Sequence, residues 1–103
     1  MERFDGTSLE AMGRRLEVAR RVYRLSQVEF CTAVHISPTA YNSYEKGRKR
    51  PVIENAIALC ERYDLTLDWI YRGDPSGLRK PLRDAIKKIL ELEPPLSKSL
   101  FQS

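Results

Sequence analysis

The sequence predicts an all-α fold, and three observations predict it. Apolar residues recur at three- and four-residue steps, no segment alternates with the two-residue period of a strand, and hydroxyl residues suited to helix N-termini stand ahead of the apolar runs. With 103 residues, 42% of them hydrophobic, the chain can bury one modest core but not a deep substrate cleft beside a cofactor domain.

The first helix spans 8–24. Leu9, Met12, Leu16, Ala19 and Tyr23 form its apolar stripe, with Arg14, Arg21 and Arg24 on the opposite side. Ser26 and Glu29 stand three residues apart as a capping box, so a short second helix is expected over 27–33, burying Phe30, Cys31 and Val34 near its end. Ser37 followed by Pro38 starts a third helix, because the hydroxyl caps a backbone N–H and the proline ring suits the first helical position. Only Val34, His35 and Ile36 lie between these two elements, which is the spacing of a helix-turn-helix.

Gly47 stops the third helix, and Arg48, Lys49, Arg50 and Pro51 form a basic loop after it. A fourth helix is predicted over 52–63 with Ile53, Ala56, Ile57, Cys60 and Tyr63 inward. Thr66 caps a short fifth one holding Leu67, Trp69 and Ile70, and the turn from Gly73 to Gly77 closes the unit. The organisation expected is a domain over 8–77 and a helical extension over 78–103. In the extension Pro81 opens a helix whose stripe is Leu82, Ala85, Ile86, Ile89 and Leu90, ended by Pro94 and Pro95. That stripe needs a partner, and two are open: its own core or a second copy of the chain.

Charge is uneven along the chain. The formal net charge is +4, yet residues 51–78 carry two Lys/Arg against five Asp/Glu, while residues 1–50 carry ten against six. The excess concentrates in Arg14, Arg15, Arg20, Arg21 and Arg24, then in Lys46, Arg48, Lys49 and Arg50. Both groups suit phosphates, because cations attract polyanions by Coulomb steering and counterion release; an acidic protein, an anionic membrane or a plain hydrated helix face are the other readings. Thr39, Asn42, Ser43 and Lys46 share one face of the third helix at i, i+3, i+4 and i+7. Short polar side chains of this kind suit base edges, since Asn can bond adenine through both donor and acceptor while Thr and Ser can bond a base or touch a thymine methyl.

No catalytic cluster can be assembled around the single histidine, His35, so no enzyme is expected. Cys31 and Cys60 are too isolated for a disulfide framework or a zinc site and read as two reduced, buried thiols, with no cofactor or metal. No apolar run is long enough to span a bilayer and the N-terminus lacks a signal-peptide layout, which points to a cytoplasmic protein.

Leu16, Arg20, Leu25-Ser26-Gln27, Glu29-Phe30, Val34, Ile36-Ser37, Glu45, Gly47, Pro51 and the closing run from Leu67 to Gly73 resemble the lambda-repressor-like helix-turn-helix family, the Cro/cI or xenobiotic-response-element type. The resemblance covers a little over half of the chain. It implies five helices around one core, with the third in the DNA major groove. Position by position, it implies base contacts from Pro38, Thr39, Asn42 and Ser43. It implies phosphate contacts from Ser26, Gln27 and Ser37, from the loop residues Lys46, Arg48 and Lys49, and from Arg24. Arg20 and Glu45 match a structural ion pair between the first helix and the end of the third.

There are departures. His35 stands where many relatives carry glycine in the turn, which strains it because positive φ disfavours most side chains, and Arg24 replaces a common glycine at the end of the first helix, which weakens the cap and adds a phosphate contact. Pro38 replaces a hydrogen-bonding side chain, so its readout can only be apolar.

The function expected is a sequence-specific double-stranded DNA-binding regulator, a repressor acting as a homodimer on a pseudo-palindromic operator, since two reading helices ~34 to 36 Å apart cover two half-sites. The alternative is a protein-interaction module, such as an antitoxin or adaptor that grips a partner protein with the same fold. No ligand-sensing domain is visible, so small-molecule induction is not expected.

Overall fold

The computed structural model describes residues 6–92. Among the described residues the chain is all-α, with six helices: α1 (Leu9–Val22), α2 (Gln27–Thr32), α3 (Pro38–Glu45), α4 (Ile53–Tyr63), α5 (Leu67–Arg72) and α6 (Lys80–Leu92). Each of the first three begins at a serine whose side-chain oxygen accepts from the backbone N–H three residues on, namely Ser8, Ser26 and Ser37; Thr66 does the same for α5. At Ser26 the Glu29 carboxylate accepts from the Ser26 N–H in return, completing the capping box. Such caps satisfy backbone donors that have no intrahelical partner.

α1 is the central strut, packing against α3, α5 and α6, while α2 packs on α3 and α4 on α5. The core gathers Leu16, Val18, Ala19, Phe30, Cys31, Tyr41, Ala56, Leu59 and Ile70, all fully enclosed. Leu78, Leu82 and Ile86 join it from the C-terminal side, with Ile89 partly buried against it. The α6 stripe is therefore largely covered by its own chain, leaving Leu90 and Leu92 exposed.

Several side chains sit otherwise than the periodicity suggests. On α4 the enclosed side is Ala56, Leu59 and Tyr63, so Ile53 and Ile57, expected inward, are exposed; the helix turns the i, i+3, i+7 row into the core, where Tyr63 meets Phe30 of α2. Cys60 is only half-buried, and Val34 lies half-buried in the turn beyond α2. Tyr23 follows the last residue of α1 and is exposed on one face, its hydroxyl donating to the Tyr63 carbonyl at 2.6 Å. The expected helix stop at Pro94 and Pro95 lies outside the described residues.

An aromatic cluster fills the middle. The rings of Phe30 and Tyr63 stack with centroids 4.0 Å apart, Tyr41 tilts against Phe30 at 5.5 Å, and the Tyr63 hydroxyl donates to the Phe30 carbonyl at 2.7 Å. Burial, reinforced by the nearby Glu45 carboxylate, pushes the Tyr41 phenol well above its ordinary range; burial also raises Tyr23, Tyr63 and Tyr71. Unfolded tyrosine ionises near pH 10, so above that the folded state holds more protons than the unfolded one and stability falls as pH rises. Below the unfolded pKa this contribution is fully present. The expected slope is about 1.4 kcal/mol per pH unit for each tyrosine protonated only in the fold. Urea midpoints should hold to about pH 9 and drop above pH 10, less steeply in Tyr41→Phe; a flat profile to about pH 11.5 contradicts this.

Candidate nucleic-acid interface

The turn between α2 and α3 is built from local bonds. The N–H groups of Val34 and Ile36 both donate to the Cys31 carbonyl, that of His35 donates to Thr32, and buried Ile36 pins the turn to the core. His35 holds φ 64° and Arg24, in the turn after α1, holds φ 58°, the left-handed conformation that favours glycine.

α3 presents two different sides. Tyr41 and Tyr44 are buried, whereas Pro38 and Thr39 are exposed and Asn42 and Ser43 are half-buried on the outward side. Its C-terminal end is fixed by one carboxylate: Glu45 accepts from Arg20 Nε at 2.7 Å and Nη2 at 3.2 Å, from the Tyr41 hydroxyl at 2.6 Å and from Gln27 Nε2 at 2.9 Å. The Arg20 and Glu45 side chains are 17% and 6% exposed. Arg20 also donates to the Leu25 carbonyl, and its bond to Glu45 raises the guanidinium above its ordinary pKa. α1, the start of α2 and the end of α3 thus meet at a single anion, as the ion pair implied by the resemblance requires.

Gly13 lets this happen. It lies in the middle of α1, where a Cβ would sit 2.6 Å from the Tyr44 carbonyl oxygen and closer still to that of Glu45. Those are backbone atoms and cannot swing aside. Gly13→Ala is therefore expected to lose about 1 to 3 kcal/mol in urea denaturation, despite alanine's better helix propensity. Unchanged stability contradicts the close crossing of α1 and α3.

Beyond α3, Gly47 at φ 72° turns the chain, and the N–H groups of Arg48 and Lys49 fold back onto the Ser43 carbonyl. The loop is tied down from behind, where Asn55 donates to the Tyr44 hydroxyl at 2.9 Å and the Tyr71 hydroxyl donates to the Pro51 carbonyl at 2.6 Å. Lys46, Arg48 and Lys49 remain exposed, as do Ser26, Ser37 and Arg24. Ser26 and Ser37 each use the oxygen as a cap and keep the hydroxyl proton for another acceptor. Gln27 has one amide N–H on Glu45 and a second still available.

The arginine group of α1, read from the sequence as one cationic patch, is divided. Arg15 turns inward, donating through Nε and Nη2 to the Ile70 carbonyl at 3.1 and 2.8 Å and also to the Gly6 carbonyl. Burial lowers its pKa. Arg20 is held by Glu45, while Arg14 and Arg21 flank Glu17. Sequence reasoning missed Gly13, Arg15, Tyr41, Asn55 and Tyr71 as positioning residues. Tyr41 alone had a local signal, standing one turn before Glu45; the others act on residues far along the chain.

Among the described residues no helix is long and apolar enough to cross a membrane. A family model described as helix-turn-helix matches residues 19–70. The chain is 27% identical over 78 residues to an uncharacterized HTH-type transcriptional regulator, YobD, of Bacillus subtilis (strain 168), spanning 72% of this chain and 70% of that one. A second uncharacterized HTH-type regulator of the same organism, YqaE, is 28% identical over 75 residues, 73% of this chain and 63% of the relative. The cryptic phage CTXphi transcriptional repressor RstR of Vibrio cholerae is 26% identical over 77 residues, 75% of this chain and 69% of the repressor. No solved structure matches the chain.

Proposed function

The chain belongs to the helix-turn-helix family of the Cro/cI type, and from that premise we propose that it is a sequence-specific double-stranded DNA-binding regulator, a homodimer that represses by occupying a pseudo-palindromic operator. The observation that carries this reading is the outward side of α3: a short polar surface, locked at its end by the partly buried Arg20–Glu45 pair and bordered by exposed Lys46, Arg48 and Lys49. A helix of this width fits the major groove, and small side chains let it approach base edges closely. Pro38, Thr39, Asn42 and Ser43 make the base contacts in this reading. Ser26, Gln27, Ser37, Arg24, Lys46, Arg48 and Lys49 hold the sugar-phosphate chain and set the register.

Two relatives are named as regulators and a third as a repressor, which supports the regulatory role. Pairing makes sense because one helix spans only a few base pairs, and the apolar tip of the extension over 78–103, at Leu90 and Leu92, is the surface offered to a second copy.

Selection of bound fragments from random duplex DNA tests the reading: recovery of a two-fold related motif is expected, and recovery of no preferred sequence overturns it. On that motif Asn42→Ala should cost about 1 to 3 kcal/mol and relax preference at one base pair, whereas Arg48→Ala should weaken all sequences alike. Equal losses on every duplex for both variants contradict the division between readers and clamps.

A further inference from the structure

The Ser43 hydroxyl donates its proton to the Thr39 carbonyl, 3.2 Å away and one turn back along α3. A serine hydroxyl has one proton and two lone pairs, so a hydroxyl bonded in this way offers only acceptor capacity to whatever lies beyond it. The serines at the helix starts are the reverse. Ser26 and Ser37 accept from the N–H groups of Glu29 and Ala40 and have their protons left to give, which suits phosphate oxygens.

From this contrast we propose that Ser43 is a specificity-determining residue that reads a hydrogen-bond donor, so that the base facing it carries an exocyclic amino group: cytosine or adenine. The proposal rests on the reading of α3 as the helix in the major groove. On that side of the duplex cytosine presents its N4 amino group and adenine its N6 amino group, while guanine and thymine present carbonyl acceptors at the corresponding place. An acceptor-only hydroxyl bonds the first two and meets the lone pairs of the others.

The position of Ser43 is well defined, because its own carbonyl receives the N–H groups of Arg48 and Lys49 at 2.9 and 3.3 Å. Rotating the hydroxyl to donate outward abandons the Thr39 carbonyl, so the polarity carries a cost to reverse.

The test is selection from random duplex DNA with the wild-type chain, Ser43→Ala and Ser43→Thr, followed by binding to defined duplexes that differ at one position. Threonine keeps the hydroxyl and the same bond to the preceding turn, whereas alanine removes both and favours the helix, so folding is retained in each. The expected result is one position per half-site where the wild type and Ser43→Thr select cytosine or adenine by about three- to tenfold and Ser43→Ala does not. Selection of guanine or thymine at the position that Ser43→Ala relaxes overturns the proposal. So does a sequence-specific chain whose preferences are identical in Ser43→Ala. A wild type with no preferred sequence defeats the reading of α3 itself, which distinguishes that failure from the other two.

Discussion

Glu45→Ala is expected to lower the stability of this protein by about 3 to 5 kcal/mol, because it leaves the Arg20 guanidinium largely buried without its counter-ion. The same substitution takes an acceptor from the Tyr41 hydroxyl and from the Gln27 amide. For a domain of this length the loss corresponds to a fall in Tm of roughly 12 to 40 °C, a large share of the ~5 to 15 kcal/mol that small domains possess. Thermal and urea denaturation read it directly. Arg20→Met combined with Glu45→Leu should recover much of the loss, since an apolar pair of similar volume removes both the charge and the need to compensate it. A single variant as stable as the wild type contradicts the structural role of the pair. DNA affinity adds a second readout: the double variant should fold yet bind less tightly, because Gln27 and the end of α3 are no longer held by one carboxylate.

The second large effect is that of salt on DNA binding. Each proposed half-site has Arg24, Lys46, Arg48 and Lys49 exposed on the described surface. If roughly 3 to 4 phosphates are neutralised per protomer, a dimer covers about 6 to 8, and log K against log salt should have a slope of about −5 to −7. Between about 50 and 200 mM salt the affinity then falls by about 10³ to 10⁴. Titrations of a selected duplex at several salt concentrations measure the slope. A value near zero defeats the proposed mechanism. The structure sharpens the expectation for α1, because Arg15 and Arg20 point into the protein: substituting either should change stability while leaving the slope of the folded fraction unaltered.

Much of the fold was readable along the chain. Ser26 with Glu29, Ser37 with Pro38, and Gly47 each announce a helix boundary through bonds that reach no further than four residues, and the structure has α2 and α3 beginning, and α3 ending, at those signals. The pairing of Arg20 with Glu45, 25 residues apart, came from the resemblance rather than from spacing. Periodicity failed on α4 because Ile53 and Ile57 fit an apolar stripe as well as Leu59 does. Which side is enclosed is selected by what folding brings against it, α5 along the helix and the Phe30 ring of α2 at Tyr63.

What the sequence by itself determined is the set of helices, their caps, the tight turn at His35 and the short polar face of α3, since all of these are properties of neighbouring residues. What only the tertiary structure decided is the fate of each charge and each polar proton. Arg15 and Arg24 are the same residue type in one cationic run, yet the first is committed to a carbonyl 55 positions away and the second faces solvent. The cause is physical: a guanidinium is claimed by whichever acceptor folding brings within hydrogen-bond distance, and that distance is set by how helices cross in space rather than by their order along the chain.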